Sequence, residues 1–325
     1  MLSINLNKKI VCLGGGNAMP KAVLEGLKNY PLQISVISAM LDSGGSAGRE
    51  RDYFKTKVSF GDFRRAALAL SGAPPEKKEI LASRLKDGPL ENHVLANLYC
   101  SSFVTAANNF EQSMEELEEE IKEDLEILPR HELLPATLDD ATLCVELDNG
   151  QIIKGEGNID VPKHDGKVGI KRIFLEPEAK AYPKALAEIK KADLIVIGPG
   201  DLFSSLIQIL LVRGIPEAIK KSKATKVYIC NLMTKNGETN NFSVLNFAGE
   251  IEKLLADRLD FVIYNNSFPR KEIIEKYKKD HPQFLEPVPF DQASLPSNFI
   301  GLDLLRPGLL EHDPQKISDI LISII

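Results

Sequence analysis

Two glycine-rich segments carry the residues best suited to hold an anion. The apolar run 10–13 leads into Gly14-Gly15-Gly16-Asn17, and the predicted strand 33–40 leads into Asp42-Ser43-Gly44-Gly45-Ser46 and then Arg49. Glycines let peptide N–H groups approach a phosphate closely, and the start of a following helix adds a favourable dipole. Arg49 adds a fixed positive charge. These residue types at these spacings predict anion-binding turns after two strands.

Each turn also has a simpler interpretation. In the first, Gly14 and Gly16 match two glycines of the dinucleotide-binding fingerprint, but Met19 stands where the third is expected. No Lys-Ser/Thr pair follows as in a P-loop, so a tight structural turn is the alternative. In the second, Asp42 at the end of a strand can bind a ribose hydroxyl or another polar ligand group. The alternative there is a surface loop with a helix cap.

Two shorter patterns add candidate side chains. Asp62 and Arg64 lie at the start of a predicted helix. Because Arg65 is turned by one helical step, we expect at most one of the two arginines to face a cleft. His93 and Asn97 are four residues apart and would share one face of a helix. Asp62 is equally suited to be a helix cap, and a single histidine is commonly structural.

Two later strands end in the same way. The apolar run 192–197 is followed by another glycine turn that opens a helix, and the run 226–232 leads into a polar loop. In an open parallel sheet these ends lie on one edge, where ligands bind at a topological switch point. The sequence therefore predicts one shared cleft with no assigned catalytic residue and no metal ligand set. The candidate ligand-binding residues are Gly14, Gly15, Gly16, Asn17, Asp42, Ser43, Gly44, Gly45, Ser46, Arg49, Asp62, Arg64, His93, Asn97, Gly198, Pro199, Gly200, Asp201, Ser204, Asn231 and Thr234.

The alternation of strands and helices predicts the fold class. It indicates a single α/β domain over 1–325, with a Rossmann-type, doubly wound and mainly parallel sheet. Residues 131–176 change character, because short β-like runs there are separated by the hairpin-type turn Asp148-Asn149-Gly150. We expect a small β-rich insertion in that range.

The totals exclude several classes of protein. The net charge of −6, from 40 basic and 46 acidic side chains, argues against bulk nucleic-acid binding, which needs a basic face. No apolar run is long enough to span a membrane, and the N-terminal segment MLSINLNKK lacks the apolar stretch of a signal peptide. The four cysteines show no metal-binding spacing, and no HExxH pattern is present. These features predict a cytoplasmic protein with free thiols.

The segments described above resemble the YvcK family, the so-called gluconeogenesis factors, within the wider group related to CofD, the 2-phospho-L-lactate transferase. The resemblance runs from about residue 8 to residue 320. The segments that carry it are Gly14-Gly15-Gly16-Asn17, DSGGSAGR (42–49), GDFR (61–64), His93 with Asn97-Leu98, LLPA (133–136), RIFLEP (172–177), ADLIVIGPG (192–200) and KVYICNLMTKNGET (226–239).

The resemblance implies a CofD-like fold in the cytoplasm. It also implies nucleotide-sugar binding, typically of UDP-N-acetylglucosamine, and a link to central carbon metabolism and cell shape without a settled catalytic activity. CofD itself transfers a phospholactyl group from a guanylylated donor to a deazaflavin, with a divalent metal near its acidic loop.

The sequence departs from the family pattern at four places. Ser43 stands where a second aspartate is usual, Asn17-Ala18 replaces Thr-Gly, Arg65 replaces an asparagine, and Asp201 replaces a serine or threonine. The missing carboxylate at Ser43 makes Mg²⁺ a less favourable cofactor, because hard cations prefer carboxylate oxygens. An acid at Asp201 would repel a phosphate unless it points away.

The leading hypothesis is a regulatory or metabolic binding protein whose ligand is a UDP-sugar, NAD or another nucleotide. The glycine turns would bind phosphates, Arg49 and Arg64 would neutralise them, and Asp42 and Asn231 would hold sugar or base groups. One alternative is a CofD-type transferase. Another is an NAD(P) oxidoreductase, which the missing third glycine disfavours. We expect a small-molecule partner, no nucleic acid, no membrane span and a homodimer.

Overall fold

A computed structural model describes residues 8–106 and 109–325. The predicted lack of a signal peptide was drawn from the segment MLSINLNKK, and residues 1–7 of that segment lie outside the described ranges. The strands are β1 (Lys9–Gly14), β2 (Gln33–Ser38), β3 (Glu132–Pro135), β4 (Thr142–Leu147), β5 (Ile152–Lys154), β6 (Ile170–Glu176), β7 (Leu194–Ile197), β8 (Thr225–Ile229), β9 (Met233–Lys235), β10 (Phe261–Asn265), β11 (Phe284–Pro287) and β12 (Phe299–Leu302).

The helices connect these strands and cover both faces of the large sheet. The first, α1, is a π-helical segment, Pro20–Leu24, continued by Glu25–Leu27, and α9 is built the same way from Leu202–Ile207 and Gln208–Leu210. The others are α2 (Gly45–Phe54), α3 (Gly61–Leu70), α4 (Pro75–Ala82), α5 (Leu95–Thr105), α6 (Phe110–Asp124), α7 (Glu156–Asp160), α8 (Pro183–Lys191), α10 (Ile215–Lys221), α11 (Val244–Leu255), α12 (Lys271–Asp280) and α13 (Pro314–Ile324).

The large sheet has the strand order β12-β10-β8-β7-β1-β2-β3, and every pairing in it is parallel. The chain lays down β1, β2 and β3 in one direction and then returns to place β7 on the other side of β1. The order thus reverses between β1 and β7, which is the kind of position where open α/β sheets bind ligands. The predicted Rossmann-type, doubly wound parallel sheet is confirmed.

The central strands are covered on both faces. In β1, Val11 and Leu13 belong to one hydrophobic core, and Ile10 and Cys12 belong to the other. All four side chains are buried. A strand buried on both faces needs apolar residues at every position, and this explains the continuous apolar runs in the sequence.

A second, antiparallel sheet with the order β5-β4-β6 stands beside the first. Helix α7 lies in the connection between β5 and β6. The interpretation of 131–176 as one insertion extends too far at its N-terminal end, because β3 pairs with β2 at the edge of the large sheet. The separate sheet begins at Thr142. A short apolar strand does not reveal locally which distant strand it joins.

Two expectations from composition concern the thiols and the membrane. Cys12, Cys100, Cys144 and Cys230 are all buried and free. Burial raises the pKa of the Cys100 and Cys230 thiols to about 12, so these groups stay protonated at neutral pH. Within the described ranges, no helix combines the length and the apolar character needed to cross a bilayer.

Candidate functional site

A cleft of about 550 Å³ opens at the carboxyl ends of the parallel strands, at the β1/β7 switch point. The loops that follow β1, β2, β7 and β8 all contribute to it. Most of the predicted site residues line this one cleft, namely Gly15, Gly16, Asn17, Asp42, Gly44, Gly45, Ser46, Asp62, Arg64, Asn97, Pro199, Gly200, Asp201 and Asn231.

The remaining predicted residues lie outside the cleft lining. The Nε atom of Arg49 donates to the carbonyl oxygen of Gly45 at 3.1 Å, and the Oγ1 atom of Thr234 donates to the carbonyl oxygen of Glu286 at 3.1 Å. Ligand contacts by these side chains stay predictions, without support from the position of the cleft. The full set outside the lining is Gly14, Ser43, Arg49, His93, Gly198, Ser204 and Thr234.

His93 precedes α5 and is not on a shared helical face with Asn97. Its Nδ1 atom is 2.8 Å from Oε1 of Glu50, and the Oγ atom of Ser46 donates to the same carboxylate oxygen. Ser46 in turn accepts the N–H of Val94 at 2.9 Å. His93 thus joins α2 to the segment before α5, whereas the Oδ1 atom of Asn97 is buried without a partner among the described residues.

Asp62 organises the first glycine turn. Its Oδ1 atom accepts the N–H of Gly16 at 2.9 Å and also pairs with the guanidinium of Arg65. A Cβ atom on Gly15 would lie 2.1 Å from Oδ2 of Asp62, so the approach requires glycine there. Burial raises the pKa of Asp62, and the charge of Arg65 opposes that shift.

The second glycine-rich loop presents the N-terminus of α2 to the cleft. The Oδ1 atom of Asp42 accepts the N–H of Gly44 at 2.7 Å, and no side chain caps the helix. The Oγ atom of Ser43 instead accepts the N–H of Gly157 at 3.2 Å. An uncapped helix start offers peptide N–H groups and a positive dipole end, which together favour a phosphate.

Positive side chains surround the same end of the cleft. Arg64 and Arg65 both line it, together with Lys21 and Arg84. The expectation that at most one of the two adjacent arginines would face the cleft is wrong, because α3 directs its N-terminal turn toward the cleft. Burial, and then the charge of Arg65, lower the pKa of Arg64 to about 10, which leaves it charged at neutral pH. The buried Nε atom of Arg64 has no partner within the described ranges.

Two acids, Asp42 and Glu156, are in hydrogen-bond contact in the cleft wall. Burial, and then the charge of Asp42, raise the pKa of Glu156 to about 10. Glu156 therefore keeps its proton at neutral pH.

Glu238 caps the helix that follows the later glycine turn. The N–H groups of Phe203 and Ser204 donate to Oε2 of Glu238 at 3.0 and 3.1 Å. The hydroxyl of Ser204 donates to Oε1 at 2.8 Å. The start of α9, after the glycine turn that follows β7, is thus already occupied by a carboxylate of the chain itself.

Lys235 holds the carboxylate of Asp201. Its Nζ atom is 2.7 Å from Oδ2 of Asp201 and 2.9 Å from Oε1 of Glu238, and it also pairs with Asp160. Burial alone lowers the pKa of Lys235, but the three carboxylates outweigh burial and raise that pKa above its ordinary value. Burial raises the pKa of Asp201 to about 6, against the charge of Lys235. Asp201 lines the cleft while it is paired to Lys235.

Aromatic side chains also line the cleft. The ring of Tyr277 lies 4.7 Å from that of His281 and 5.6 Å from that of Phe284, measured between centroids. His312 is buried beside them, and burial lowers its pKa to about 4. Its Nε2 atom has no partner within the described chain, so it is a neutral acceptor in the cleft lining.

Sequence reasoning did not identify several residues of the cleft. Glu156 and Asp160 lie within the stretch interpreted as a β-rich insertion, where nothing local indicates contact with the large sheet. The polar loop with Lys235 and Glu238 could have been recognised from the sequence, because a lysine there can neutralise the charge of Asp201, which stands where the family has a serine or threonine. The charged, amide and aromatic lining residues missed include Lys21, Arg65, Arg84, Glu156, Asp160, Gln208, Tyr277, His281, Phe284 and His312.

The doubly wound sheet and the cleft at its switch point define a CofD-like α/β protein. The family model for 2-phospho-L-lactate transferase CofD matches residues 10–302. A crystal structure of a UPF0052 family member from Bacillus halodurans superposes with a TM-score of 0.87 at 32% identity, covering 97% of this chain and 99% of that one.

Relatives similar over nearly the whole chain narrow this class. A gluconeogenesis factor of Halalkalibacterium halodurans is 34% identical, over 97% of this chain and 96% of the relative. The gluconeogenesis factor of Bacillus subtilis is 31% identical, over 98% of each chain. The chain therefore belongs to the CofD family and, within it, to the gluconeogenesis factors. The predicted resemblance is confirmed.

Proposed function

We propose that this gluconeogenesis factor binds a nucleotide sugar of the UDP-N-acetylglucosamine type in the cytoplasm and so regulates central carbon metabolism and cell shape. The observation that carries the proposal is the convergence of the uncapped N-terminus of α2 with Arg64 and Arg65 in one cleft. Helix N–H groups and guanidinium groups are the donors that bind a diphosphate. A cleft of about 550 Å³ suits a nucleotide-sized ligand.

A dinucleotide such as NAD is less well supported. In the dinucleotide fingerprint, the third glycine allows close packing of helix on strand. Here Met19 fills that position as a buried core side chain, packed against Gly14. In addition, the N–H of Gly16 is already bonded to Asp62 and is not available to a pyrophosphate.

The acid pair supports a second candidate, a CofD-type transferase with Mg²⁺. Mg²⁺ is commonly held by one or two carboxylates together with substrate phosphates and water. Asp42 fits this donor set, whereas Glu156 would join it only after releasing its proton, and Ser43 supplies no carboxylate. A metal bound there would supply charge neutralisation to the phosphates. Asp62 is committed to Gly16 and Arg65 and is not a free ligand.

Calorimetric titration tests the leading proposal. We expect saturable binding of UDP-N-acetylglucosamine and UDP-glucose, and weaker or no binding of NAD and GDP. Arg64→Ala should weaken UDP-sugar binding about ten- to hundredfold, because a charge-assisted hydrogen bond contributes about 1.5–3 kcal/mol. Arg49→Ala is the matched control, since Arg49 bonds to its own helix outside the cleft lining.

Two results would contradict the proposal. The first is the absence of saturable binding of any UDP-sugar to the folded protein. The second is equal loss of affinity in the Arg64 and Arg49 variants. Metal-dependent turnover of a guanylylated donor would instead favour the transferase.

A further inference from the structure

The cleft has an acidic wall made of residues from three separate segments. Asp160 ends α7, Asp201 follows β7, and Glu238 lies in the loop after β9. Their carboxylate oxygens lie within 4.8 Å of one another, and the ammonium of Lys235 pairs with all three. A metal ion and this ammonium would compete for the same space, so the cluster does not favour a metal.

The cluster keeps negative charge directed at the cleft. Glu238 is compensated by the N–H groups of Phe203 and Ser204 in addition to Lys235. Asp160 and Asp201 share the single positive charge of Lys235, and both aspartates line the cleft. A phosphate is therefore disfavoured here, both by repulsion and because the nearby helix start is already capped.

Gln208 provides an independent observation. Its side chain is 3% exposed and lines the same cleft, and its Nε2 atom donates to the carbonyl oxygen of Ser204. Its Oε1 atom is buried with no partner in the described chain. Asn231 and His312, which also line the cleft, each leave a buried acceptor atom unpartnered in the same way. A buried acceptor without a donor is costly, which points to a ligand that supplies donors.

We propose that Asp160, Asp201 and Gln208 form a subsite for the hydroxyl groups of the sugar, in the same cleft as the phosphate-binding start of α2 and Arg64. This inference rests on the proposed function, because it assumes a nucleotide sugar in the cleft. Hydroxyl groups donate to carboxylates and amide oxygens, and each sugar ring carries several. Lys235 acts as a positioning residue, because it fixes both aspartates without reaching the ligand.

The subsite also predicts which sugars are rejected. A sugar that carries its own carboxylate would face Asp160 and Asp201 and be repelled. A neutral hexose would satisfy the unpartnered acceptors. UDP-glucose and UDP-glucuronate differ only in this respect, so they are suitable probes.

The experiment compares UDP, UDP-glucose and UDP-glucuronate by calorimetric titration with the full chain. We expect the wild type to bind UDP-glucose at least tenfold more tightly than UDP, and UDP-glucuronate more weakly than UDP-glucose. Asp201→Asn and Gln208→Met should each remove most of the advantage in affinity that UDP-glucose has over UDP. Asp201→Asn should also reduce the difference in affinity between UDP-glucose and UDP-glucuronate. Asp87→Asn, an exposed aspartate away from the cleft, is the control.

The outcomes separate this inference from the function on which it rests. If no probe binds the folded wild type, the proposed function and the subsite both fail. If UDP and UDP-glucose bind equally, or both variants weaken UDP and UDP-glucose to the same extent, the function stands and the subsite is overturned. A melting temperature measured for each variant confirms that it is folded.

Discussion

The carboxylate of Asp62 accepts the N–H of Gly16 at 2.9 Å, across 46 residues of sequence. This contact fixes the first glycine turn against α3. It also brings Asp62 so close to Gly15 that a Cβ atom there would displace the carboxylate. The turn therefore owes its shape to a side chain of the protein, and its glycines serve that contact as well as any ligand.

Gly15→Ala should destabilise the protein, because its Cβ would overlap the Asp62 carboxylate at 2.1 Å. We expect a loss of about 1–3 kcal/mol in the free energy of unfolding, typical of overpacking in a well-packed site. Gly249→Ala, at an open position inside α11, should instead stabilise by up to about 1 kcal/mol. Urea unfolding measures both. Equal effects of the two substitutions would contradict the role assigned to Asp62.

Lys235→Met should be strongly destabilising at neutral pH. It leaves the carboxylates of Asp160, Asp201 and Glu238 close together without their cation, and breaking a buried ion pair costs about 3–5 kcal/mol. Burial already raises the folded-state pKa of Asp201 to about 6, and without the lysine this pKa rises further above its unfolded value. Stability is then regained as the pH falls and Asp201 binds a proton, so the loss should be smaller at pH 5 than at pH 7.5.

Chemical denaturation at the two pH values makes this measurement. Lys184→Met is the control, because the pair between Lys184 and Glu115 is half exposed and such pairs contribute at most about 1 kcal/mol. A deficit in Lys235→Met that does not shrink at pH 5 would argue against the acidic cluster as its cause.

Two buried glutamates should respond oppositely to replacement by glutamine. The pKa of Glu156 is raised to about 10, so folding at neutral pH requires it to take up a proton. Its contribution to stability is complete below the unfolded pKa and is lost as the pH rises toward 10. Glu156→Gln removes that requirement and should stabilise by at least about 1 kcal/mol at pH 7.5.

Glu188 is the second of these glutamates, and we expect its replacement by glutamine to destabilise the protein. Burial raises its pKa, but hydrogen bonds from Lys9 and Ser35 outweigh burial and lower it, so Glu188 is ionised in the folded state. Glu188→Gln should cost about 3 kcal/mol, because it leaves Lys9 without its partner. Guanidinium unfolding at pH 7.5 compares the variants. Destabilisation of Glu156→Gln equal to that of Glu188→Gln would show that Glu156 is ionised.

His131 should make stability depend on pH. Its Nδ1 atom accepts the N–H of Ile34 at 3.2 Å, and burial lowers its pKa to about 4. Its unfolded pKa is about 6.5, so the unfolded state gains a proton first and stability is lost as the pH falls from 6.5 toward 4. His131→Asn keeps an acceptor but does not titrate. When the pH falls from 7 to 4.5, the free energy of unfolding of the wild type should decrease by about 2–3 kcal/mol more than that of this variant.

Unfolding curves at closely spaced pH values test this difference. The variant His164→Asn, whose ring is only partly buried in a surface loop, should follow the wild type throughout. Parallel curves for the wild type and His131→Asn would mean that His131 does not control this pH dependence.

Local sequence patterns predicted the parallel sheet because its central strands are mainly apolar and end in recognisable turns. The convergence of the loops then followed from topology, and Gly15, Asp42, Asp201 and Asn231 do line one cleft. The pairing of these residues could not be predicted in the same way. Asp201 meets a lysine from a strand 34 residues further on, and such contacts leave no periodic signal.

The same limit explains why the partners of His93 and of the glycine turn after β7 were not predicted. His93 was assigned to a helical face with Asn97, but the helix begins after it and Glu50 from α2 holds its ring. The turn after β7 has the residues of an anion site, yet its anion is Glu238. Residue type indicated the chemistry in both cases, whereas only the folded chain identifies the partner.

Helix α7 has a consequence for motion. It is five residues long, and polar contacts such as Gly157 with Ser43 and Asp160 with Lys235 connect it to the far side of the cleft. The opposite wall stands on β1 and β7, which are buried on both faces. Deuterium should therefore enter the amides of α7 through small local openings, and those of β1 only when the whole domain unfolds. Any molecule that bridges the two walls would slow the exchange of α7 toward that of the sheet.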